Sequence, residues 1–265
     1  MKLAFVGLSD IGLSRPNNED VWAALPEIGF FALADGMGGH QAGEVAANVA
    51  VEELCHTIQT SSSDPFLAVR LAIEKANQKV YEQGQKNQTL SGMGTTLCCL
   101  YWTATAVIYA HVGDSRIYRF RNDKLEQLTQ DHSLFAKWLS KDQSKTCATP
   151  YPYKNVITRA IGTSKQVTPE IALIGFEPND LFILCSDGLT DALPFKDMEK
   201  ILERSDNLDI AATRLIEKAK IKGSNDNITV LLIQNSHDLL RQQLDNPARP
   251  ESFSSHVGGS ERSPG

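Results

Sequence analysis

Residues 95–121 read TTLCCLYWTATAVIYAHVGDSRIYRFR, three apolar runs separated by gaps of only one or two residues. The runs occupy 95–102, 104–112 and 115–121, and each has the length of one β-strand. Connections this short join antiparallel strands, because a parallel pair needs a crossover of about a dozen residues or more. The stretch therefore predicts a three-stranded antiparallel meander.

Helical periodicity appears in pairs of segments on either side of this meander. The spacing of apolar residues predicts helices at 42–58, 66–83, 194–203 and 208–219. Short β-like runs are found at 3–8, 21–25, 30–34, 166–174, 181–185 and 228–234. Helices that come in pairs do not give the strict alternation of a doubly wound parallel sheet. The pattern predicts an α+β fold, a four-layer α/β/β/α sandwich of two antiparallel sheets flanked by helix pairs.

The chain of 265 residues divides into one large domain and a polar tail. We expect the domain to cover residues 1–236. Within it, residues 132–156 interrupt the strand pattern: a short helix is possible at 133–139, whereas Pro150 and Pro152 exclude regular structure at 149–155. We call this segment the flap and expect it to be a surface excursion. Residues 237–265 are rich in Ser, Gly and Pro, a composition that predicts disorder.

The composition excludes several classes of partner. A net charge of −6 gives no basic footprint for nucleic acid. No apolar run approaches the roughly 18 residues that would span a bilayer. The five cysteines are odd in number and lie mostly within apolar runs, which indicates reduced, buried thiols. We therefore expect a cytoplasmic protein that is monomeric, with no membrane span.

Four aspartates stand at the borders of apolar runs, each beside Gly, Ser or Asn. Asp35 follows the run at 29–34, Asp114 the run at 106–113 and Asp187 the run at 181–186, whereas Asp226 precedes the run at 228–233. Hard divalent cations require oxygen ligands of this kind. The pattern predicts that residues distant in sequence converge on a metal site.

Seven motifs rich in Gly, Asn and Asp follow one another along the chain: RPNNED (15–20), ADGMGGH (34–40), GMGTT (92–96), GDSR (113–116), ITRAIG (157–162), SDG (186–188) and NDNIT (225–229). In order and spacing this set resembles the PP2C (PPM) family of metal-dependent serine/threonine protein phosphatases, in its compact bacterial form. The resemblance covers residues 5–235.

The resemblance implies a centre of two Mn²⁺ or Mg²⁺ ions between the sheets. Asp35 would bridge the ions, and Asp187 and Asp226 would complete the ligands of one. Asp20, with its neighbour Glu19 acting through water, and the backbone carbonyl of Gly36 would serve the other ion.

Three further roles follow from the same resemblance. Asp114 matches the position that binds a third, weaker ion in bacterial members. Arg15 matches the arginine that holds the substrate phosphate, and a guanidinium fork suits two phosphate oxygens. His40 matches the proposed general acid, and imidazole can protonate a leaving alkoxide at neutral pH.

The predicted activity is hydrolysis of phosphoserine and phosphothreonine in proteins, opposing a bacterial Ser/Thr kinase. Two alternatives remain open: a non-catalytic relative that binds phosphoproteins, and an enzyme for small phosphomonoesters. Other phosphatase chemistries lack their motifs, since the sequence has no Cys-X5-Arg, Asp-X-Asp, P-loop or Gly-X-Ser-X-Gly pattern. In the flap, we expect Tyr151 and Tyr153 to contact substrate.

Overall fold

The structure is a computed structural model and describes residues 3–38, 42–141 and 151–235. The strands are β1 Leu3–Asp10, β2 Asp20–Leu25, β3 Phe30–Met37, β4 Gly94–Thr95, β5 Leu97–Trp102, β6 Val107–Val112, β7 Arg116–Arg121, β8 Lys124–Gln127, β9 Glu170–Ile174, β10 Leu181–Cys185 and β11 Ile228–Asn235. The α-helices are α1 Ala42–Thr60, α2 Pro65–Lys86, α3 Leu134–Ser140, α4 Asp187–Ala192, α5 Phe195–Glu203 and α6 Leu208–Ile221. A 3₁₀ turn covers Gln88–Leu90.

The strands form two antiparallel sheets. The first has the order β1-β11-β10-β7-β8, and the second has the order β2-β3-β5-β6-β9 with the short β4 beside β3. Strand β3 shows how they are stacked: Phe30 and Ala32 point towards α1 and α2, whereas Phe31 and Leu33 point towards the other sheet. This burial on both faces explains why the strand reads as a continuous apolar run.

Three hydrophobic clusters separate four layers. One lies between α1/α2 and the second sheet, one between the two sheets, and one between the first sheet and α4–α6. The predicted four-layer α/β/β/α sandwich is confirmed, and solved structures with the same fold are described below.

The predicted meander is only partly correct. Strands β5 and β6 pair, but β7 leaves this sheet and pairs with β10 and β8 in the other. The chain crosses between the sheets at Gly113, whose φ of 109° lies in the region that favours glycine. The three-residue connection between β6 and β7 therefore makes a corner between packed sheets rather than a hairpin, and it leaves Asp114 at the edge where the sheets meet.

Helix α2 begins as its sequence predicts, with Asp64 accepting hydrogen bonds from the N–H groups of Phe66 and Leu67 and with Pro65 in the first turn. Helix α4 and strand β8 were not predicted, since Asp187-Gly188 is also typical of a turn. The predicted tail at 237–265 lies outside the described residues, as does the flap between 142 and 150. No described helix is long and apolar enough to cross a membrane.

Candidate metal centre and active site

The second sheet contributes Asp20 and Asp35 as directly opposed residues of β2 and β3. The backbone of Asp35 is fixed by the neighbouring strand: its N–H donates to Thr96 Oγ1 over 3.0 Å, and its carbonyl accepts from the N–H of Thr96 over 2.8 Å. Main-chain bonding on both sides leaves the carboxylate as the free polar group of this residue. Asp35 therefore projects from a rigid strand rather than from a loop.

The first sheet contributes Asp187 and Asp226 from adjacent strand ends. Asp187 opens α4 just after β10, and Asp226 precedes β11, the strand paired with β10. Gly188 makes this approach possible, because a Cβ there would lie 2.0 Å from the carbonyl oxygen of Asn227. Any side chain at position 188 would push the two aspartates apart.

The two sheets enclose a cavity of about 260 Å³ at this edge. Its lining unites most of the predicted site residues: Arg15, Asp35, Gly36, Asp114, Asp187 and Asp226. Glu19 also lines the cavity, whereas Asp20 does not. His40 lies outside the described residues, so its predicted role stays a prediction.

Asp20 lies behind the cavity wall and is held by two hydroxyls. Its Oδ2 accepts from Ser186 Oγ over 2.7 Å and from Thr229 Oγ1 over 2.6 Å. Both donors belong to the other sheet, so the carboxylate links the two sheets. Its Oδ1 is buried and has no hydrogen-bond partner.

The carboxylates raise one another's pKa. Burial is the first cause for Asp35, whose pKa lies well above its ordinary value, and the charges of Asp20, Asp187, Asp114 and Asp226 add to it. Burial and neighbouring aspartates raise the pKa of Asp187 to about 8. For Asp20, burial outweighs its hydroxyl donors and raises the pKa to about 6. The pKa of Asp114 also rises to about 6, through burial and Asp131.

Such a cluster of negative charge needs cations. A buried carboxylate oxygen normally has a partner, yet Asp187 Oδ1, like Asp20 Oδ1, has none. All-oxygen donors with two unpartnered atoms suit Mn²⁺ or Mg²⁺. The residues present therefore fit the predicted ions.

Arg15 is the cation that borders these carboxylates in the cavity lining. Its Nη2 donates to Asp226 Oδ2 over 2.6 Å, and 49% of its side chain remains exposed. Hydrogen bonding to Asp226 is the main cause that raises its pKa above the ordinary value, so it stays charged. The guanidinium thus stands at the mouth of the cavity with part of its fork free.

The described end of the flap also reaches the cavity, through Asn155 and Ile157. Lys154 forms an ion pair with Asp191 over 3.0 Å. Tyr151 stacks on Trp138 with 4.7 Å between ring centroids, which makes it part of the packing of the flap, whereas Tyr153 is 57% exposed. Of the two predicted substrate contacts, Tyr153 has the free surface.

Sequence reasoning missed several supporting residues. Ser186 and Thr229 lie inside the motifs SDG and NDNIT, but their hydrogen bonds to Asp20 cross between sheets and have no sequence signal. Asp191 lines cavities together with Asp187. It lies four residues after Asp187, a spacing that puts both side chains on one face of a helix, and this spacing could have identified Asp191 from the sequence.

A separate group of His111, His132 and Glu170 has spacing suited to a metal. Its hydrogen bonds indicate another role. His132 Nδ1 accepts from the N–H of Gly113 over 3.1 Å, and its Nε2 lies 3.0 Å from both Glu170 Oε1 and Arg159 Nη1. Arg159 and the backbone of Gly113 already contact the two ring nitrogens of His132, and the group ties β6, β9 and the start of the flap together.

Comparison with known proteins agrees with this geometry. The family model described as Protein phosphatase 2C matches residues 14–217. The serine/threonine phosphatase stp of Listeria monocytogenes (serovar 1/2a, strain EGD-e) is 37% identical over 246 residues, which are 89% of this chain and 97% of the relative. Protein phosphatase PhpP of Streptococcus pneumoniae is 36% identical over 239 residues, 87% of this chain and 97% of PhpP.

Solved structures share the fold at similar identity. The Mycobacterium tuberculosis phosphatase PstP/Ppp has a TM-score of 0.82 at 33% identity and covers 89% of this chain and 100% of its own. Stp1 of Staphylococcus aureus has a TM-score of 0.83 at 30% identity, covering 89% and 96%. A PstP catalytic domain in complex with two manganese ions has a TM-score of 0.78 at 33% identity, covering 88% and 97%. The chain described here therefore belongs to the protein phosphatase 2C family.

Proposed function

We propose that the protein uses this carboxylate cluster to hydrolyse phosphoserine and phosphothreonine in other proteins, and that it reverses the action of a cognate Ser/Thr kinase. The observation that carries the proposal is the convergence of aspartates from both sheets on the cavity that the half-exposed Arg15 also lines. Asp187 in this lining and Asp20 behind it each have a buried, unpartnered carboxylate oxygen. Metal-dependent phosphatase activity of the PP2C type agrees with the family. A non-catalytic relative would be expected to lack metal ligands, and the described residues retain every ligand that was predicted among them.

Asp35 faces the cavity from one sheet and Asp187 and Asp226 from the other, so we assign them to the shared and terminal ligands of two ions. Gly36, through its carbonyl, and the pair Glu19 and Asp20 would serve the second ion. Asp114 would serve a third, weaker site. When bound, Mn²⁺ or Mg²⁺ supplies Lewis-acid activation of water and neutralises phosphate charge.

Arg15 supplies the substrate-binding group of the chain itself. Its fork can donate to two phosphate oxygens while Asp226 orients the guanidinium from behind. Because Asp226 already orients the guanidinium, Arg15 loses less conformational entropy when it binds the phosphate. His40 would donate the proton that the serine or threonine alkoxide needs on leaving.

The direct test is hydrolysis of a phosphothreonine peptide at increasing Mn²⁺, in the wild type and in Asp35→Asn. We expect activity with Mn²⁺, loss with EDTA, and loss in the variant together with weaker Mn²⁺ binding by calorimetry. Asp123→Asn is the matched control, since Asp123 is an exposed turn residue with a φ of 58° that Asn tolerates. Full activity of Asp187→Asn would contradict the assignment.

A second comparison separates protein substrates from small phosphomonoesters. The cavity mouth is open beside Arg15, whose side chain is 49% exposed, which leaves room for a peptide backbone. We expect a higher kcat/KM for phosphopeptides than for nucleoside monophosphates. The proposal also includes a monomeric, cytoplasmic enzyme, which sedimentation at working concentration and cell fractionation would check.

A further inference from the structure

A groove of about 450 Å³ lies between α5 and α6, on the outer layer of the fold. Its walls are one face of each helix, because the lining residues recur at spacings of three and four. The lining consists of Asp197, Lys200, Ile201, Arg204, Arg214, Glu217, Lys218 and Ile221. None of these residues is used by the active site described above.

The groove is positively charged in a chain whose net charge is −6. Lys200, Arg204 and Lys218 form no ion pair within 4.0 Å among the described residues. Asp197 pairs with Lys222 over 3.4 Å, whereas Lys220 lies 3.8 Å from Glu217 and pairs more closely with Asp10 over 2.9 Å. The lining nevertheless has four basic side chains against two acidic ones. The free charge of the groove is therefore cationic.

The groove also offers apolar surface. Ile221 is 75% exposed at one end, and Ile201 is partly buried between the helices. The aliphatic stems of Lys200 and Lys218 extend this surface while their ammonium groups stay in water. An apolar floor with a basic rim complements a segment that combines acidic and apolar residues.

The groove leads towards the active site. Lys222 and Gly223 directly follow Ile221, and both line a second cavity that includes Arg15, Asp187 and Asp226. The Lys222–Asp197 ion pair joins the lining of that cavity to the groove. The five-residue step from Ile221 to Asp226 spans at most about 17 Å, so a short extended peptide can reach both.

We infer that the groove between α5 and α6 binds an acidic segment, containing an apolar side chain, of the phosphoprotein whose phosphate occupies the Arg15 site. The inference rests on the proposed function and names its substrate class. We expect the acidic and apolar residues of the substrate to lie within about six residues of its phosphorylated residue, because an extended peptide of that length spans the distance from the groove to Arg15. The groove thereby selects substrates by their sequence next to the phosphate.

The test compares two phosphothreonine peptides of equal length, one with Asp, Glu and Leu flanking the phosphate and one with Gln, Ser and Gly. The variant is Lys200→Glu/Lys218→Glu. The control is Lys75→Glu/Lys165→Glu, which makes the same change of charge at exposed lysines outside the groove. The substrate p-nitrophenyl phosphate reports the active site alone.

We expect kcat/KM for the acidic peptide to fall about tenfold in the groove variant, through KM rather than kcat. The neutral peptide and p-nitrophenyl phosphate change less than about twofold, and the control behaves as the wild type. Ile221→Ser lowers kcat/KM for the acidic peptide alone, by about threefold.

An equal fall for both peptides, or no fall for the acidic one, overturns the inference. A wild-type dimer that dissociates in the groove variant overturns it as well, since the groove would then be an interface between two copies. If the wild-type protein hydrolyses both peptides equally well, this inference is wrong but the proposed function stands. If the wild-type protein hydrolyses no phosphopeptide in the presence of Mn²⁺, the proposed function itself is wrong.

Discussion

The guanidinium of Arg15 donates to the carboxylate of Asp226 over 2.6 Å, so the predicted phosphate-binding cation and a predicted metal ligand share one ion pair. The pair is partly solvent-exposed, at 49% and 36% of the two side chains. Exposed pairs contribute little to stability, so its importance lies in charge placement. A cation at Asp226 competes with this contact, whereas a phosphate can bind the remaining N–H groups of Arg15.

Arg15→Ala is expected to raise KM about tenfold or more, because the phosphate loses a bidentate donor. Mn²⁺ affinity rises a few-fold in the same variant, since Asp226 no longer has an internal cation. Kinetics with p-nitrophenyl phosphate and calorimetry with Mn²⁺ measure the two effects. Arg70→Ala, at an exposed position of α2, is the control. Weaker Mn²⁺ binding in Arg15→Ala would show that the arginine supports the metal site rather than competing with it.

Asp20 depends on Ser186 and Thr229, whose hydroxyls hold its Oδ2. Ser186→Ala leaves part of a buried carboxylate without its donor, and we expect Mn²⁺ affinity to fall about 10- to 100-fold. The fold should persist, because the volume change is small. Mn²⁺ calorimetry and thermal unfolding with EDTA measure the two quantities.

Thr57→Val is the matched control for Ser186→Ala, since it removes a buried hydroxyl from α1, away from the cavity. Its Mn²⁺ affinity should equal that of the wild type. Unchanged affinity in Ser186→Ala would mean that Asp20 does not depend on this hydroxyl for its role.

His111 predicts a loss of stability in acid. It is 1% exposed, and burial, followed by the neighbouring His132, lowers its pKa from 6.5 to about 4. The unfolded chain therefore takes up a proton as pH falls below 6.5, while the folded protein does so only near pH 4. The free energy of unfolding should be about 2 kcal/mol lower at pH 5 than at pH 7 from this residue.

Urea unfolding with EDTA at both pH values measures this difference. His111→Gln keeps a donor for Glu170, which lies 3.3 Å from His111 Nε2, and cannot titrate. The variant should lose correspondingly less stability between pH 7 and pH 5. An identical pH dependence in both proteins would assign the acid sensitivity to other groups.

The sequence predicted the layers well because apolar periodicity reports burial directly. Phe30 to Ala34 were predicted as a strand, and they lie in β3, which the structure buries on both faces. Apolar periodicity does not show which strands pair with each other. The run at 115–121 looked like the third strand of a meander, yet Gly113 directs it into the other sheet. The local pattern is the same whichever sheet the strand joins.

The site shows the same division. Asp35, Asp187 and Asp226 were found because each lies beside an apolar run in a recognisable motif, and the structure places all three on one cavity. The sequence did not indicate how deeply each carboxylate lies within the site. Glu19 lines the cavity, whereas its neighbour Asp20 lies behind the cavity wall. Glu19 precedes β2, so strand alternation does not place its side chain, and Asp20, although opposite Asp35, is bound by Ser186 and Thr229 of the other sheet.

Lys154 and Asp191 pair over 3.0 Å next to the predicted third metal position. The ammonium neutralises part of the charge around Asp114 and Asp187, and Asp191 contributes to the raised pKa of both. Lys154→Gln should therefore raise the affinity of the weakest Mn²⁺ site a few-fold, in a calorimetric titration without substrate. Asp114→Asn in the same background should abolish that gain. Equal titrations for Lys154→Gln and the wild type would mean that the flap lysine and the third ion bind independently.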